Sequence, residues 1–227
     1  MTVAFVPIEI DVQLPDEQKL LDFCQETKIP DITHTDVNSI QFWDKVPVVG
    51  RIARDEDWYD LEKMSHALFN RYTPGLGECR YANGIDKKFP EIPYMLEQLP
   101  FKELSMVSML VQREAVETHI DSQVYDNITD PSEIAIDMEP RRYNILMNKH
   151  NYKSFYVCES KDSEKIFPVI TPDVPCHAIC ESHHWHGADY DGPDKIMLCV
   201  FGILDREKHK QMIAHNLEKY KDRAIVF

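Results

Sequence analysis

The sequence predicts a mainly β chain with helices, an α+β fold whose sandwich or jelly-roll core carries N-terminal helices packed on its outside. Three observations lead there. Beyond residue 100, short apolar runs follow one another at turn-length intervals: Met106 to Val111, Arg142 to Met147, Ser154 to Cys158, Ile166 to Ile170, Cys176 to Glu181 and Lys195 to Leu204. Before residue 100, apolar side chains recur mainly at helical spacing. At the end, Asp205 to Arg223 reads as a charged helix with Ile213 and Leu217 on its inner side. No repeat, low-complexity tract or linker divides the 227 residues. One domain is therefore expected: a helical N-terminal part over 1–100, a β-core over 101–205 and a C-terminal helix over 206–227.

Taken in order, Val3 to Val12 alternates as a strand, with Ala4, Val6, Ile8 and Ile10 on one side. Leu14-Pro15-Asp16-Glu17 starts a helix, with Pro and acids in its first turn and Leu20, Leu21 and Phe23 turned to the core. Residues 28 to 55 hold Pro30, Pro47 and Gly50 and read as irregular connection. Asp55 to Tyr72 reads as a second helix through Leu61, Met64, Leu68 and Phe69, ended by Thr73-Pro74-Gly75. A short third helix is expected over Ile92 to Leu99. Residues 123 to 140 are acidic and hold Pro131 and Pro140, so they read as a loop, placed to act as a lid.

Composition narrows the function classes. Hydrophobic residues make up 43%, enough for a sizeable core. Asp and Glu number 39 against 25 Lys and Arg, a formal charge of −14. Such a field repels phosphate backbones and anionic membranes, which speaks against a nucleic-acid partner. The six cysteines are scattered in a chain too long to need disulfide staples. Met1 to Pro7 lacks a basic region followed by an apolar stretch, and no apolar run reaches the length of a membrane span. The expectation is a cytoplasmic protein with free thiols and no membrane partner.

The chemistry concentrates in His119-Ile120-Asp121 and His183-His184-Trp185-His186-Gly187. Two histidines and one carboxylate, without a nearby cysteine pair, are the facial ligand set of a mononuclear non-haem Fe(II) site. Such a triad leaves three positions open, two for a bidentate oxo-acid and one for dioxygen. In extended chain His119 and Asp121 point to the same side. Alone, a His-x-Asp tripeptide is more often an ordinary surface pair. Its company raises its standing: an apolar strand precedes it, a distal histidine follows, and a cation, Lys195, heads a later apolar strand. His186 is preferred as the distal ligand because Gly187-Ala188 leave room and Lys195 follows. His184, of the same parity, is its rival. A zinc set of Cys176, His177 and Cys180 with the histidine cluster is a weaker alternative, since no second close cysteine pair exists.

Arg141-Arg142-Tyr143-Asn144-Ile145 opens another apolar strand. An arginine there is usually a solvated end residue, but in a metal pocket it can clamp a carboxylate bidentately. With His119-x-Asp121, Arg142-x-Asn144-Ile145, His186-Gly187 and Lys195 in this order, residues 105 to 205 resemble the Fe(II)/2-oxoglutarate-dependent oxygenases, most closely their aspartyl/asparaginyl β-hydroxylase-like branch. The N-terminal hundred residues take no part in the resemblance. Lys195 stands where that branch commonly has arginine, so it would meet a carboxylate as a point charge rather than as a fork.

The resemblance implies a double-stranded β-helix core, jelly-roll or cupin-like. It implies Fe(II) on His119, Asp121 and His186, 2-oxoglutarate held through Arg142, Lys195 and Asn144, and ascorbate as reductant. It implies oxidative decarboxylation of 2-oxoglutarate coupled to hydroxylation of an unactivated C–H in an amino acid, a peptide side chain or a similar small polar molecule. Gln123, Tyr125, Trp185 and Asn144 are candidate pocket residues, each more often structural when taken singly. Two other readings compete: a nucleobase-oxidising member of the same superfamily, and a non-enzymatic jelly-roll module that binds metal or ligand.

Overall fold

A computed structural model describes residues 2–28, 43–51, 79–121, 139–148, 153–190 and 192–227. In chain order the elements are β1 (Val3–Ile8), α1 (Glu17–Thr27), β2 (Trp43–Arg51), β3 (Cys79–Tyr81), α2 (Ile85–Lys88), α3 (Glu91–Gln98), β4 (Phe101–Gln112), β5 (Val116–His119), β6 (Arg142–Leu146), β7 (Phe155–Cys158), β8 (Cys176–Ile179), β9 (Trp185–Ala188), β10 (Lys195–Leu204), α4 (Arg206–Lys219) and β11 (Ile225–Val226). The fold is α+β, with few helices and antiparallel pairing between strands.

One sheet has eight strands in the order β11-β1-β8-β6-β10-β4-β2-β3; the other has three in the order β5-β9-β7. The large sheet is covered on both faces, which explains why its central strand β10 reads as a continuous apolar run rather than an alternating one. Ile196, Leu198 and Val200 of β10, with Tyr143 and Ile145 of β6 and Cys176 and Ala178 of β8, pack against the helices through Leu20, Phe23, Ile92 and Met95. The opposite parity of β10, Met197, Cys199 and Phe201, packs with Leu146, Ile179 and Phe5 against Phe155 and Val157 of the small sheet.

That second face also carries polar groups. Arg142 and Asn144 share parity with Leu146, His177 with Ile179, and Lys195 with Met197. Cross-strand pairing of Cys199 with Asn144, and of Asn144 with His177, puts three of these residues in one row. The space between the two sheets is therefore part apolar core and part buried polar site.

Helix signals in the sequence match the described helices closely. Asp16 caps α1, its Oδ1 accepting from the Lys19 amide at 2.9 Å. Asp205 caps α4 in the same way, accepting from the Lys208 amide at 3.2 Å. Ile213 and Leu217 pack inward, as their spacing predicts. The short third helix is α3.

Three expectations need correction. The 1–100 part is not only helical, since it supplies β1, β2 and β3 to the same sheet as the later strands. Residues 28 to 55, expected to be irregular, contain β2. Pro47 and Gly50 suggested a break, but a register shift between Pro47 and Val49 accommodates the proline in a paired strand. Ile166 to Ile170 is not a strand. Only a single bridge joins Ile166 to Val157, and Ile166, Phe167 and Val169 face solvent. The expected helix over Asp55 to Tyr72 lies outside the described residues, as do nearly all of the 123–140 loop and Gln123 and Tyr125. Cys24, Cys158, Cys176, Cys180 and Cys199 are free and buried. Among the described residues, no helix is long and apolar enough to cross a membrane.

The C-terminal helix is tied to the sheet by a buried hydrogen bond between the Tyr143 hydroxyl and His209 Nδ1, 2.8 Å. Burial, helped by Arg141 and Arg206, pushes the His209 pKa down to about 4. Burial, with Lys195 and Arg142, likewise pushes His177 to about 3. Both rings are neutral in the folded protein below the pH at which the unfolded chain takes up their protons. Their stabilisation is complete above about pH 6.5 and is lost as pH falls toward 4, by up to roughly 3 kcal/mol for His209. Urea denaturation across pH 7 to 4 should show that slope, and His209→Gln should flatten part of it.

Candidate metal centre

β5 and β9 are antiparallel neighbours in the small sheet, with His119 paired directly opposite His186. This register brings two histidines that are remote in sequence to a ring-centroid separation of 4.4 Å. Asp121 lies just past the end of β5, where its amide is held by the Glu181 carbonyl at 3.0 Å. Its carboxylate closes the group: Oδ1 is 3.2 Å from His119 Nε2, and Oδ2 is 3.6 Å from His186 Nε2. The ligand-capable atoms of His119, Asp121 and His186 all lie within 4.8 Å of one another, the one such cluster among the described residues.

The outer hydrogen bonds fix which nitrogen faces inward. His119 Nδ1 is 2.7 Å from the Glu117 carbonyl, and His186 Nδ1 is 3.1 Å from the His184 carbonyl. A carbonyl only accepts, so each Nδ1 carries a hydrogen and each neutral ring turns an Nε2 lone pair toward Asp121. Among the described residues, no hydrogen-bond partner reaches the buried His186 Nε2. Two lone pairs and a carboxylate thus converge on one point, an arrangement that calls for a proton or a cation between them. The donor set fits a divalent first-row metal.

Local electrostatics agree. Burial works to raise the Asp121 pKa, but the two imidazoles beside it and the charge of Arg142 outweigh it and hold the carboxyl well below its usual range. Burial would lower the His119 pKa, but Asp121 outweighs it and the net shift is upward. For His186 burial dominates and the shift is downward. The buried histidine is the poorer base and the half-exposed one carries the proton first.

His119, His186, Arg142, Asn144, Lys195 and Phe155 line one cavity of about 50 Å³. Lys195 opens β10 and is fully buried, its Nζ donating to Ser154 Oγ at 2.9 Å. Burial pushes its pKa down to about 7, and the charge of Arg142 adds to the effect. Arg142 opens β6 and donates to Asp121 Oδ2 at 2.8 Å. Two cations therefore line a small cavity in a chain whose net charge is −14.

The remaining candidates separate. His184 sits in a bend before β9, so its parity with His186 does not carry over; its ring lies against Phe227, 5.2 Å between centroids. His183 bonds Ser182 Oγ at 2.7 Å. Cys176 faces the helices while His177 faces the small sheet, so strand alternation divides the suggested zinc set. Trp185 pairs with Cys158. Ser154 and Phe155 enter the site with no motif to announce them, and His177, named only in the zinc set, enters through Asn144.

Gly187 and Ala188 line the cavity beside His186, and the missing side chain of Gly187 has a second use. A Cβ there would collide with the Tyr156 hydroxyl and lie 2.7 Å from the Val116 carbonyl. The missing side chain also makes room for Tyr156 to reach Thr118 Oγ1 at 3.0 Å.

Two results follow. His119→Ala, Asp121→Ala and His186→Ala should each weaken Fe(II) or Co(II) binding by at least about 10-fold in a metal titration, whereas His184→Ala should leave it near wild type. Gly187→Ala should lower stability by about 1–3 kcal/mol in urea denaturation, because a well-packed contact must shift. Comparison of the chain with protein-family models and with curated proteins returns no match.

Proposed function

We propose that this chain is an Fe(II)- and 2-oxoglutarate-dependent dioxygenase. On this reading it hydroxylates an unactivated C–H of an amino acid, a peptide side chain or a similar small polar molecule. The two sheets would be the halves of a double-stranded β-helix, or jelly roll, with the ligands on the smaller half. The observation that carries the reading is one cavity walled by both the two histidines of the His/Asp/His cluster and a buried cation. A metal site alone would fit many proteins; a metal site beside a buried ammonium suits a co-substrate that chelates at one end and carries a carboxylate at the other.

When bound, Fe(II) would supply dioxygen activation coupled to oxidative decarboxylation of 2-oxoglutarate. One dioxygen, one 2-oxoglutarate and one C–H would give succinate, carbon dioxide and C–OH. The protein's own residues have simpler tasks. His119 and His186 present Nε2 lone pairs, their orientation fixed by the carbonyls of Glu117 and His184. Asp121 supplies the negative charge. Lys195 receives the far carboxylate of the co-substrate, with the Ser154 hydroxyl beside it. Phe155, Val116 and Met197 make the apolar wall that limits water.

Lys195 also sets a pH dependence. With its pKa near 7, it is increasingly neutral above that pH, and only the ammonium form attracts a carboxylate. Binding above pH 7 therefore takes up a proton. The affinity for 2-oxoglutarate should fall by up to about 10-fold per pH unit above 7. In Lys195→Met it should be weak and nearly independent of pH in that range. Turnover tests the whole reading: purified protein with Fe(II), ascorbate and 2-oxoglutarate should release succinate slowly even without a primary substrate. Absence of both succinate release and 2-oxoglutarate binding to the metal-loaded protein would overturn it.

A further inference from the structure

We infer that Arg142 is a positioning residue for the metal carboxylate rather than a co-substrate clamp: it holds Asp121 Oδ2 so that Oδ1 is left to the ion. The inference rests on the metal centre proposed above and goes beyond it by reassigning one of its cations.

The guanidinium is fixed at three points. Nη1 donates to Asp121 Oδ2 at 2.8 Å, Nε to Asn144 Oδ1 at 3.0 Å, and Nη2 to Cys199 Sγ at 3.0 Å. Its carbon lies 5.6 Å from the centre of the Phe201 ring. A planar group with one bond from each of its three nitrogens has little freedom left to turn toward a small molecule. Asn144 is itself oriented, its Nδ2 lying 3.2 Å from His177 Nε2. His177, Asn144 and Cys199 stand side by side on β8, β6 and β10 through direct cross-strand pairing. The frame that holds Arg142 thus belongs to the large sheet.

Asp121 belongs to the other sheet and needs that frame. It lies past the last paired residue of β5, and its backbone is secured through its amide to the Glu181 carbonyl. The carboxylate could turn about its own side-chain bonds. Arg142 prevents this by taking one oxygen, which leaves Oδ1 facing His119 Nε2. Arg142 and Asp121 are the ionic tie between the two sheets at the site. Lys195, with Ser154 as its hydroxyl neighbour, is then the cation that serves the co-substrate.

Titration of the full chain with Co(II), a redox-stable stand-in for Fe(II), tests the assignment through its visible absorption spectrum. Arg142→Met should weaken Co(II) affinity by about 10–100-fold, the range for removal of a residue that orients a metal ligand. Its spectrum at saturating Co(II) should differ from wild type. Arg142→Lys should recover part of the loss, and Asn144→Ala should show a smaller loss in the same direction. At saturating Co(II), 2-oxoglutarate affinity in Arg142→Met should stay within about threefold of wild type, well under 1.4 kcal/mol. A loss of tenfold or more in that affinity overturns the inference, whatever happens to the metal. So does wild-type Co(II) affinity in Arg142→Met while His119→Ala loses it, and in that case the metal centre itself stands. If wild type binds no Co(II), both fail together. Circular dichroism checks folding; should Arg142→Met not fold, Arg142→Lys carries the same test with a smaller expected loss.

Discussion

Charge held out of water between two sheets is the constraint on which this molecule turns. Arg142, Lys195 and Asp121 are mostly removed from solvent, and an isolated charge in such a place is costly by several kcal/mol. The protein meets the cost unevenly. Arg142 and Asp121 offset one another through a short ion pair, and both keep their charge. Lys195 has a hydroxyl neighbour and moves toward neutrality instead. Arg142 is held within the frame of the large sheet, whereas burial weakens the charge of Lys195.

Strand alternation makes that arrangement possible. Each of β6, β8 and β10 gives one parity to the helices and the other to the small sheet. The helix-facing parity is apolar. The other parity mixes Phe201, Met197 and Leu146 with Arg142, Asn144, His177 and Lys195. A polar residue placed one position along any of these strands would enter the helix-side core, which is lined mainly by apolar side chains and would penalise an unpaired polar group. The position of the site is therefore a consequence of register as much as of residue identity.

Much of the fold was legible in the sequence, for physical reasons that also mark where legibility ends. β10 announces itself because, past Lys195, a strand covered on both faces is apolar throughout, and β6 through Ile145 and Leu146. α1 and α4 announce themselves through Asp16 and Asp205, whose side chains satisfy free amides at the helix starts. β2 was hidden by Pro47, since a bulge that tolerates proline leaves no separate signal. The exposed run from Ile166 to Val169 reads as a strand only if solvent contact is ignored. At the site, His119 and Asp121 are legible as a local spacing. The preference for His186 over His184 rested on Gly187-Ala188 and Lys195, whereas what separates the two rings in space is where a bend ends and β9 begins. Ser154 carried no signal at all, since its role exists only once β7 and β10 have come together.

The direct opposition of His119 and His186 has a consequence for assembly. The two rings come from widely separated parts of the chain, joined through a sheet that has three strands among the described residues. An ion gripped from both sides would act as a cross-link, closing a long loop and removing entropy from the unfolded chain. Metal uptake and completion of the smaller sheet would then be one thermodynamic event. Under such linkage the site works as a fastener for the fold as well as a place for chemistry.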